Sequence, residues 1–152
     1  MPAGTGLWLN NALGEIELNR REPETREPGE RIPSNMAPTV ARGEGAVLAI
    51  GSPGADRITT AIHQVLTNLL QFEMPLTEAI EHPRLHVDTT GEHDKLRTEP
   101  GLELPEVDLP VYTFPGLNMY FGGVSVASFD EERGFEVCAD SRRESGVFIS
   151  EA

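Results

Sequence analysis

The feature that most constrains the fold is an apolar run that stops at a glycine–proline segment and passes directly into an amphipathic helix. The run covers residues 46–50, and Gly-Ser-Pro-Gly follows at 51–54. Apolar side chains then recur at helical spacing on one face: Ile58, Ile62, Val65, Leu66, Leu69 and Leu70. A helix with one apolar face has to bury it, so this pattern predicts a helix packed against the sheet whose strand precedes it.

Two further patterns predict antiparallel hairpins. Apolar residues at 37–41 and 46–50 flank a glycine-containing turn. Residues 120–129 and 135–139 flank a polar turn at 130–134. The two hairpins predict a sheet with mostly antiparallel pairing.

The remaining segments give weaker signals. Residues 77–81 predict a second, shorter helix that Pro83 stops, because proline cannot continue a helix. Residues 7–9 predict a short strand, whereas residues 19–30 and 86–116 are polar, contain several prolines and predict loops. Together the elements predict one α+β domain with two helices and mostly antiparallel strands.

The charge balance disfavours several classes of function. Twelve Lys and Arg residues against 25 Asp and Glu residues give a formal net charge of −13. Such a field repels nucleic-acid phosphates and anionic lipid, so neither is an expected partner. No apolar run approaches the roughly twenty residues that a membrane helix needs, and the first residues carry no signal peptide. The compartment of the protein stays open.

The glycine–proline junction is the first candidate for chemistry. The free N–H groups of a first helical turn, with the helix dipole behind them, favour negative charge. Gly54 would let a substrate oxygen approach the main chain closely. In an acyl-transfer enzyme such a turn can hold the oxyanion of a tetrahedral intermediate. The alternative is a plain strand-to-helix connection, because a single Gly-Ser-Pro-Gly is a weak motif.

Two other polar places could bind a charged substrate. Ser34 and Asn35 lie between Pro33 and Pro38 and offer hydroxyl and amide donors that could grip a carboxylate. Taken alone, a turn or a helix cap is the simpler interpretation of this pair. Glu15 could pair with an ammonium group, although in isolation a solvated carboxylate is the simpler interpretation.

The histidines do not predict a metal site. His82 and His86 are four residues apart, with Asp88 and His93 nearby. Zinc binding through such a pair needs both rings on one helical face, and Pro83 breaks the helix between them. A serine hydrolase is likewise unsupported, because no Gly-x-Ser-x-Gly segment is present.

Five segments, taken in order, resemble the small subunit of γ-glutamyltransferases. They are LNNALGE at 9–15, PGERIPSNMAPT at 28–39, GSPGADRIT at 51–59, EAIEHPR at 78–84 and ADSRR at 139–143. The resemblance spans essentially the whole chain, 1–152, as the C-terminal portion of that subunit.

This resemblance implies part of an N-terminal-nucleophile αββα sandwich that arises by self-cleavage of a precursor and uses no cofactor. In the family, a threonine freed at the new N-terminus attacks a γ-glutamyl amide, and the acyl group passes to water or to an amino acid. The resemblance implies that Glu15 binds the α-amino group, that Ser34 and Asn35 hold the α-carboxylate, and that the main-chain N–H groups of Gly54 and Ala55 form the oxyanion hole.

Three departures from the family follow from the same resemblance. The nucleophilic threonine belongs upstream of the position that matches Thr5, so we expect the nucleophile segment to be absent and Thr5 not to replace it. The large subunit, which carries an arginine for the α-carboxylate, is also expected to be a separate piece. Ala12 stands where many members have glutamine or glutamate at the amino end of the donor, so glutaryl amides are conceivable donors.

The predicted function is therefore part of an enzyme that transfers or hydrolyses γ-glutamyl groups of glutathione-type amides through an acyl-enzyme. The isolated chain is predicted to be inactive, and the missing nucleophile segment and large subunit are its predicted partners. The alternatives are a non-catalytic partner or pseudoenzyme subunit, an acylase of glutaryl-type amides, and an unrelated acidic binding domain.

Overall fold

The computed structural model describes residues 4–14 and 26–150, which form two helices and seven strands. In chain order the elements are β1 (Thr39–Gly43), β2 (Ala46–Gly51), α1 (Arg57–Leu70), α2 (Leu76–Glu81), β3 (Leu85–Asp88), β4 (Lys95–Thr98), β5 (Val111–Thr113), β6 (Ser125–Asp130) and β7 (Gly134–Ala139). The predicted α+β class, with two helices and mostly antiparallel strands, is confirmed.

A four-stranded antiparallel sheet has the order β1-β2-β6-β7. Both predicted hairpins are confirmed, and each forms one half of this sheet. In the first hairpin Gly45 has a φ of +68°, a left-handed conformation that glycine adopts without a Cβ clash. The two halves join where β2 pairs with β6, so that Ile50 lies opposite Val126.

Both helices pack on one face of this sheet. Their apolar faces and the inner sheet residues form one buried cluster: Ile50, Ile58, Ala61, Ile62, Val65, Leu76, Ile80, Val124 and Val126. Burial of each large aliphatic side chain stabilises the fold by roughly 1.5–3 kcal/mol before the loss of chain entropy. The two predicted helices are confirmed, and α2 begins at Leu76, one residue before the predicted start. Neither described helix is long and apolar enough to cross a membrane.

The opposite face of the four-stranded sheet is open and apolar. Side chains alternate between the two faces along a strand, so Val40 and Phe135 point away from the helices. Val40 is 74% exposed and Phe135 is 68% exposed. The Phe129 and Phe135 rings lie 4.8 Å apart, centroid to centroid, on this face.

A second sheet, of order β3-β4-β5, begins at Leu85 and otherwise lies in the segment predicted to be a loop at 86–116, so that prediction was wrong. The β3–β4 pair is antiparallel and the β4–β5 pair is parallel. Each strand is only three or four residues long. Within β4, Leu96 and Thr98 are buried and the preceding Lys95 is exposed. This alternation is too short to stand out from a polar loop.

Two other local predictions were wrong. Residues 7–9 form no described strand, and Trp8 is 84% exposed. Residues 119–121 form a short 3-10 turn rather than the start of a strand, and β6 begins only at Ser125. Gly122 and Gly123, between this turn and β6, are buried.

Candidate active site

The junction between β2 and α1 has the form that the sequence predicts. β2 ends at Gly51 and α1 begins at Arg57. Between them Gly54 has a φ of +136°, a conformation that strains a residue carrying a Cβ atom. Ala55 is buried, with 5% of its surface exposed. We call residues 52–56 the junction turn.

The junction turn presents unused main-chain donors. Within residues 4–14 and 26–150, neither the Gly54 nor the Ala55 nitrogen donates a hydrogen bond to another described group. The Ala55 carbonyl accepts from Ile58 N at 3.2 Å, which closes the first turn toward α1. Two free N–H groups at the positive end of a helix dipole favour a bound negative charge.

The structure brings the loop of Ser34 and Asn35 to this turn. Asn35 Nδ2 lies 3.3 Å from the Ala55 carbonyl oxygen and 3.2 Å from Asp56 Oδ1. The Ser34 hydroxyl is exposed and accepts from Met36 N at 3.2 Å. Two of the three predicted parts of the site are therefore neighbours, although their roles toward a substrate stay predictions.

The third part, Glu15, lies outside the described residues. The segment before it is exposed and locally bonded: Ala12 N donates to Asn10 Oδ1 at 3.0 Å, and Leu7 N donates to Thr5 Oγ1 at 3.3 Å. A 3-10 turn follows at Ala12–Gly14. The predicted role of Glu15 therefore stays a prediction.

The junction turn rests on a pair of glycines that sequence reasoning did not include in the site. Gly123 N donates to Ser52 Oγ at 3.2 Å, and Ser52 Oγ donates to the Pro53 carbonyl at 3.0 Å. Gly122 has a φ of +90°, and a Cβ atom there would lie 2.8 Å from Ser52 Oγ and 3.1 Å from Ala61 Cβ. The signal in the sequence was the Gly-Gly step itself, because adjacent glycines mark a close approach of two main chains.

Arg57, the first residue of α1, fixes the start of the helix to an aromatic cluster. Its Nε donates to the Tyr120 carbonyl at 3.0 Å, and its guanidinium lies 4.5 Å from the centre of the Tyr120 ring. Tyr120 in turn stacks on Phe114 at 5.1 Å and meets Phe121 edge-on at 5.0 Å. The cation–π contact and the hydrogen bond both restrain Arg57, and with it the adjacent junction turn, in one position.

Four charged side chains are buried together, although no pattern in the sequence predicts that they meet. Arg84, Glu99, Asp140 and Arg142 are each no more than 7% exposed. Arg84 Nη1 lies 2.7 Å from Asp140 Oδ2, Arg142 Nη2 lies 2.5 Å from Glu99 Oε2, and Arg142 Nη1 lies 3.1 Å from Asp140 Oδ1. Two cations and two anions balance, as buried charges must. We call these residues the buried quartet.

The buried quartet ties four separate parts of the chain together through main-chain groups. Arg142 donates to the carbonyls of Ile80 and His82, both at 2.9 Å. Glu99 accepts from Asn118 N at 2.7 Å, and Asp140 accepts from Val124 N at 2.9 Å. The quartet therefore joins the end of α2, the second sheet, the start of β6 and the segment after β7.

We expect ionisation of Asp140 to make the free energy of unfolding depend on pH under acidic conditions. Burial alone would raise the pKa of Asp140, but Arg84 and the N–H groups of Arg142 and Val124 outweigh it and hold that pKa below its ordinary value. Stability from such a carboxyl is present above its unfolded pKa and is lost as the pH falls through its folded pKa. In urea titrations from about pH 5 down to about pH 2.5, the unfolding free energy of the wild type should fall more steeply than that of Asp140→Asn, by up to about 1.4 kcal/mol per pH unit. Equal slopes of unfolding free energy against pH in the wild type and in Asp140→Asn would contradict this assignment.

Two of the four histidines form side-chain hydrogen bonds within the protein. His86 Nδ1 lies 3.1 Å from Thr60 Oγ1, and His82 Nδ1 lies 3.1 Å from the Pro83 carbonyl. In the described part of the chain, no group of three or more His, Cys, Asp or Glu side chains is arranged to hold a metal ion.

Comparison with known proteins identifies relatives in sequence and in fold. The glutathione hydrolase 5 proenzyme of Mus musculus is 40% identical over 95 residues, which cover 57% of this chain and 16% of that protein. The acylase ACY 1 proenzyme of Pseudomonas sp. (strain SE83) is 37% identical over 83 residues, which cover 54% of this chain and 15% of that protein. A threonine-to-alanine mutant of the Helicobacter pylori γ-glutamyltranspeptidase has a solved structure that matches with a TM-score of 0.69 at 26% identity, covering 94% of this chain and 85% of that one.

The chain thus spans about a sixth of the length of these two sequence relatives. The family profile described as gamma-glutamyltranspeptidase matches residues 1–150, which is nearly all of the chain. The match in fold to the Helicobacter pylori γ-glutamyltranspeptidase structure agrees with that profile. The chain belongs to the γ-glutamyltranspeptidase family.

Proposed function

We propose that this chain supplies the oxyanion-binding and donor-recognition part of an enzyme that transfers or hydrolyses γ-glutamyl groups of glutathione-type amides. The observation that carries the proposal is the contact of Asn35 with Ala55, because it joins two predicted parts of one site that are distant in the sequence. Family membership and the glutathione hydrolase relative support the same class of reaction.

The reaction would consist of two acyl transfers. A threonine hydroxyl from the nucleophile segment attacks the donor carbonyl carbon, while the α-amine of that threonine takes its proton. The carbonyl oxygen becomes an oxyanion, which accepts hydrogen bonds from the N–H groups of Gly54 and Ala55. Collapse of this intermediate expels the protonated amine and leaves an ester, which water or an amino acid then cleaves. A single oxyanion donor typically contributes roughly 10²- to 10³-fold in rate.

The charged end of the donor is proposed to lie at Ser34, Asn35 and Glu15. The Ser34 hydroxyl oxygen accepts from Met36 N, and its own proton has no acceptor within hydrogen-bonding distance in the described ranges. It is therefore able to donate to an oxygen of the donor. Glu15 would accept from the α-ammonium group.

The proposed partners are a nucleophile-bearing segment and a large subunit. The open face of the four-stranded sheet supports this proposal, since Val40 and Phe135 expose apolar surface that a second layer would bury. Both sequence relatives are named proenzymes, which is consistent with cleavage of a longer precursor.

A second candidate is an acylase of glutaryl-type amides. The acylase relative supports an acylase of some kind. Ala12 supports donors without an amine, because its methyl group offers no hydrogen bond to a donor amine. A ratio of kcat/KM that favours a glutaryl anilide over the matching γ-glutamyl anilide would select this candidate.

The proposal is tested by release of p-nitroaniline from γ-glutamyl-p-nitroanilide. We expect the complete protein that contains this chain to release it, and residues 1–152 alone to release none, because oxyanion and recognition groups without a nucleophile provide no covalent route. Mass spectrometry of the complete protein under acid quench should find a γ-glutamyl adduct on a threonine.

A robust rate from residues 1–152 alone would refute the predicted inactivity of the isolated chain. Absence of turnover in the complete protein, together with its co-purification with a separate nucleophile-bearing chain, would instead support the non-catalytic partner.

A further inference from the structure

The directions of both hydrogen bonds at the Ser52 hydroxyl follow from the chemistry of its partners. Gly123 N lies 3.2 Å from Ser52 Oγ, and because an N–H group can only donate, the hydroxyl oxygen accepts this hydrogen bond. The Pro53 carbonyl oxygen lies 3.0 Å from the same Oγ and can only accept. The single hydroxyl proton of Ser52 therefore points to the Pro53 carbonyl.

The Pro53 carbonyl belongs to the same peptide unit as the N–H group of Gly54. This peptide bond is trans, and in a planar trans peptide the carbonyl and the N–H group point in opposite directions. Because the carbonyl points to Ser52 Oγ, the Gly54 N–H group points away from the Ser52 hydroxyl. The hydrogen bond of Ser52 thus sets the direction of one of the two donors in the proposed oxyanion hole.

The peptide between Pro53 and Gly54 is one that its two residue types leave able to rotate. A proline followed by a glycine fits two types of turn, which differ by roughly half a rotation of the peptide between them. The glycine φ is negative in one type and positive in the other, and neither sign strains a glycine. Gly54 has a φ of +136°. An additional contact is therefore needed to select one orientation, and the Ser52 hydroxyl supplies it.

We infer that Ser52 is a positioning residue of the proposed acyl-transfer site, whose hydroxyl holds the Pro53–Gly54 peptide so that the Gly54 N–H group is directed at the oxyanion. The inference rests on the proposed function, which assigns this N–H group to the oxyanion. Without the hydroxyl, the peptide would populate both orientations, and only one of them would present the donor.

The kinetic test is Ser52→Ala in the complete protein, with γ-glutamyl-p-nitroanilide as the donor. One hydrogen bond of this kind shifts an equilibrium by roughly 2- to 12-fold, and loss of a whole oxyanion donor lowers a rate by roughly 10²- to 10³-fold. We therefore expect kcat to fall roughly tenfold. KM should change by less than about twofold, because the oxyanion forms only after the donor has bound. Ser52→Thr keeps the hydroxyl and should retain kcat within about threefold.

The matched control is Ser128→Ala. Ser128 Oγ donates to the Glu136 carbonyl at 3.3 Å, so this variant also removes a bond from a hydroxyl to a main-chain carbonyl. That bond joins β6 to β7 rather than to the junction turn. The kcat of Ser128→Ala should stay within about twofold of the wild type, and the midpoint of urea unfolding checks that both alanine variants are folded.

Inhibition by two ligands separates the orientation of the peptide from a general loss of structure. The boronic acid analogue of glutamate, in which a boronic acid group replaces the γ-carboxyl group, forms a tetrahedral anionic borate with the nucleophilic hydroxyl. One oxygen of this borate takes the place of the oxyanion, whereas glutamate itself forms no such adduct. Ser52→Ala should weaken inhibition by the boronate roughly tenfold and inhibition by glutamate less than about twofold.

Three outcomes would count against these statements in different ways. Equal kcat in an active wild type and in Ser52→Ala would overturn the inference and leave the proposed function standing. Equal weakening of boronate and glutamate would also overturn the inference, since the hydroxyl would then support the whole site rather than one donor. A complete wild-type protein that neither turns over the donor nor binds the boronate more tightly than glutamate would remove the proposed function, and the inference with it.

Discussion

Replacing Arg142 with methionine should lower the free energy of unfolding by about 3–5 kcal/mol, the typical cost of leaving a buried charge without its partner. The guanidinium bonds both Glu99 oxygens, Asp140 Oδ1 and two main-chain carbonyls. Methionine fills a similar volume but offers none of these donors, so Glu99 and Asp140 would share Arg84 as their one cation in the buried quartet. Urea denaturation followed by circular dichroism measures the change.

The matched control is Arg133→Met, which removes a guanidinium from the surface. The Arg133 side chain is 81% exposed and lies 3.4 Å from Asp130. An exposed pair of this kind contributes less than about 1 kcal/mol. Arg142→Lys keeps the charge but cannot form a bidentate hydrogen bond to Glu99. Its loss of unfolding free energy should fall between those of the other two variants. Equal losses for Arg142→Met and Arg133→Met would show that the quartet does not stabilise the fold.

Gly122→Ala should be the other variant with a large effect, at about 2–4 kcal/mol of unfolding free energy. The φ of +90° strains any residue with a Cβ atom, and that atom would lie 2.8 Å from Ser52 Oγ and 3.1 Å from Ala61 Cβ. Strain at such a φ costs roughly 1–3 kcal/mol and overpacking of a filled site about 1–3 kcal/mol. Since Ser52 is the first residue of the junction turn, the turnover number of the complete protein should also fall, and by a larger factor than KM changes.

Gly116→Ala provides the comparison for Gly122→Ala. A Cβ atom at Gly116 would meet nothing within 4 Å, and its φ is not left-handed. Its unfolding free energy should stay within about 0.5 kcal/mol of the wild type. If Gly122→Ala unfolds at the same urea concentration as Gly116→Ala, the close packing of Ser52 on Gly122 does not exist in solution.

Long periodic patterns made the helices and the main sheet predictable. α1 repeats its apolar face over four turns, and each hairpin combines two apolar strands with a turn of glycine or polar residues. Such patterns are set by local geometry, in which side chains return to one face every 3.6 or 2 residues. Chance produces them rarely over this length.

The second sheet and the buried quartet could not be found in the same way. β5 pairs with β4 over only three residues, and its side chains are exposed. Glu99 and Arg142 belong to polar segments that predict a solvated surface, because charged residues are buried only when paired. Their pairing depends on distant segments meeting, which no local pattern contains.

The candidate site lies between these two cases. The junction turn and the loop of Ser34 and Asn35 could be found from residue types and order, because a glycine–proline break before a helix is a local signal. The direction of the Asn35 amide could not, since it depends on Asp56 and Ala55 approaching from another part of the chain. The sequence therefore indicated which groups form the site but not which of them stay free for a substrate.

The pairing of β2 with β6 has a consequence for biosynthesis. The junction turn follows β2 directly, yet Gly51 pairs with Ser125, and the glycines on which the turn rests come just before that strand. A ribosome therefore releases the turn long before it releases the groups that support it, and pairing between such distant segments is slow. A polypeptide terminated or cleaved ahead of β6 would retain every proposed ligand-binding residue and still lack the support that holds them in place.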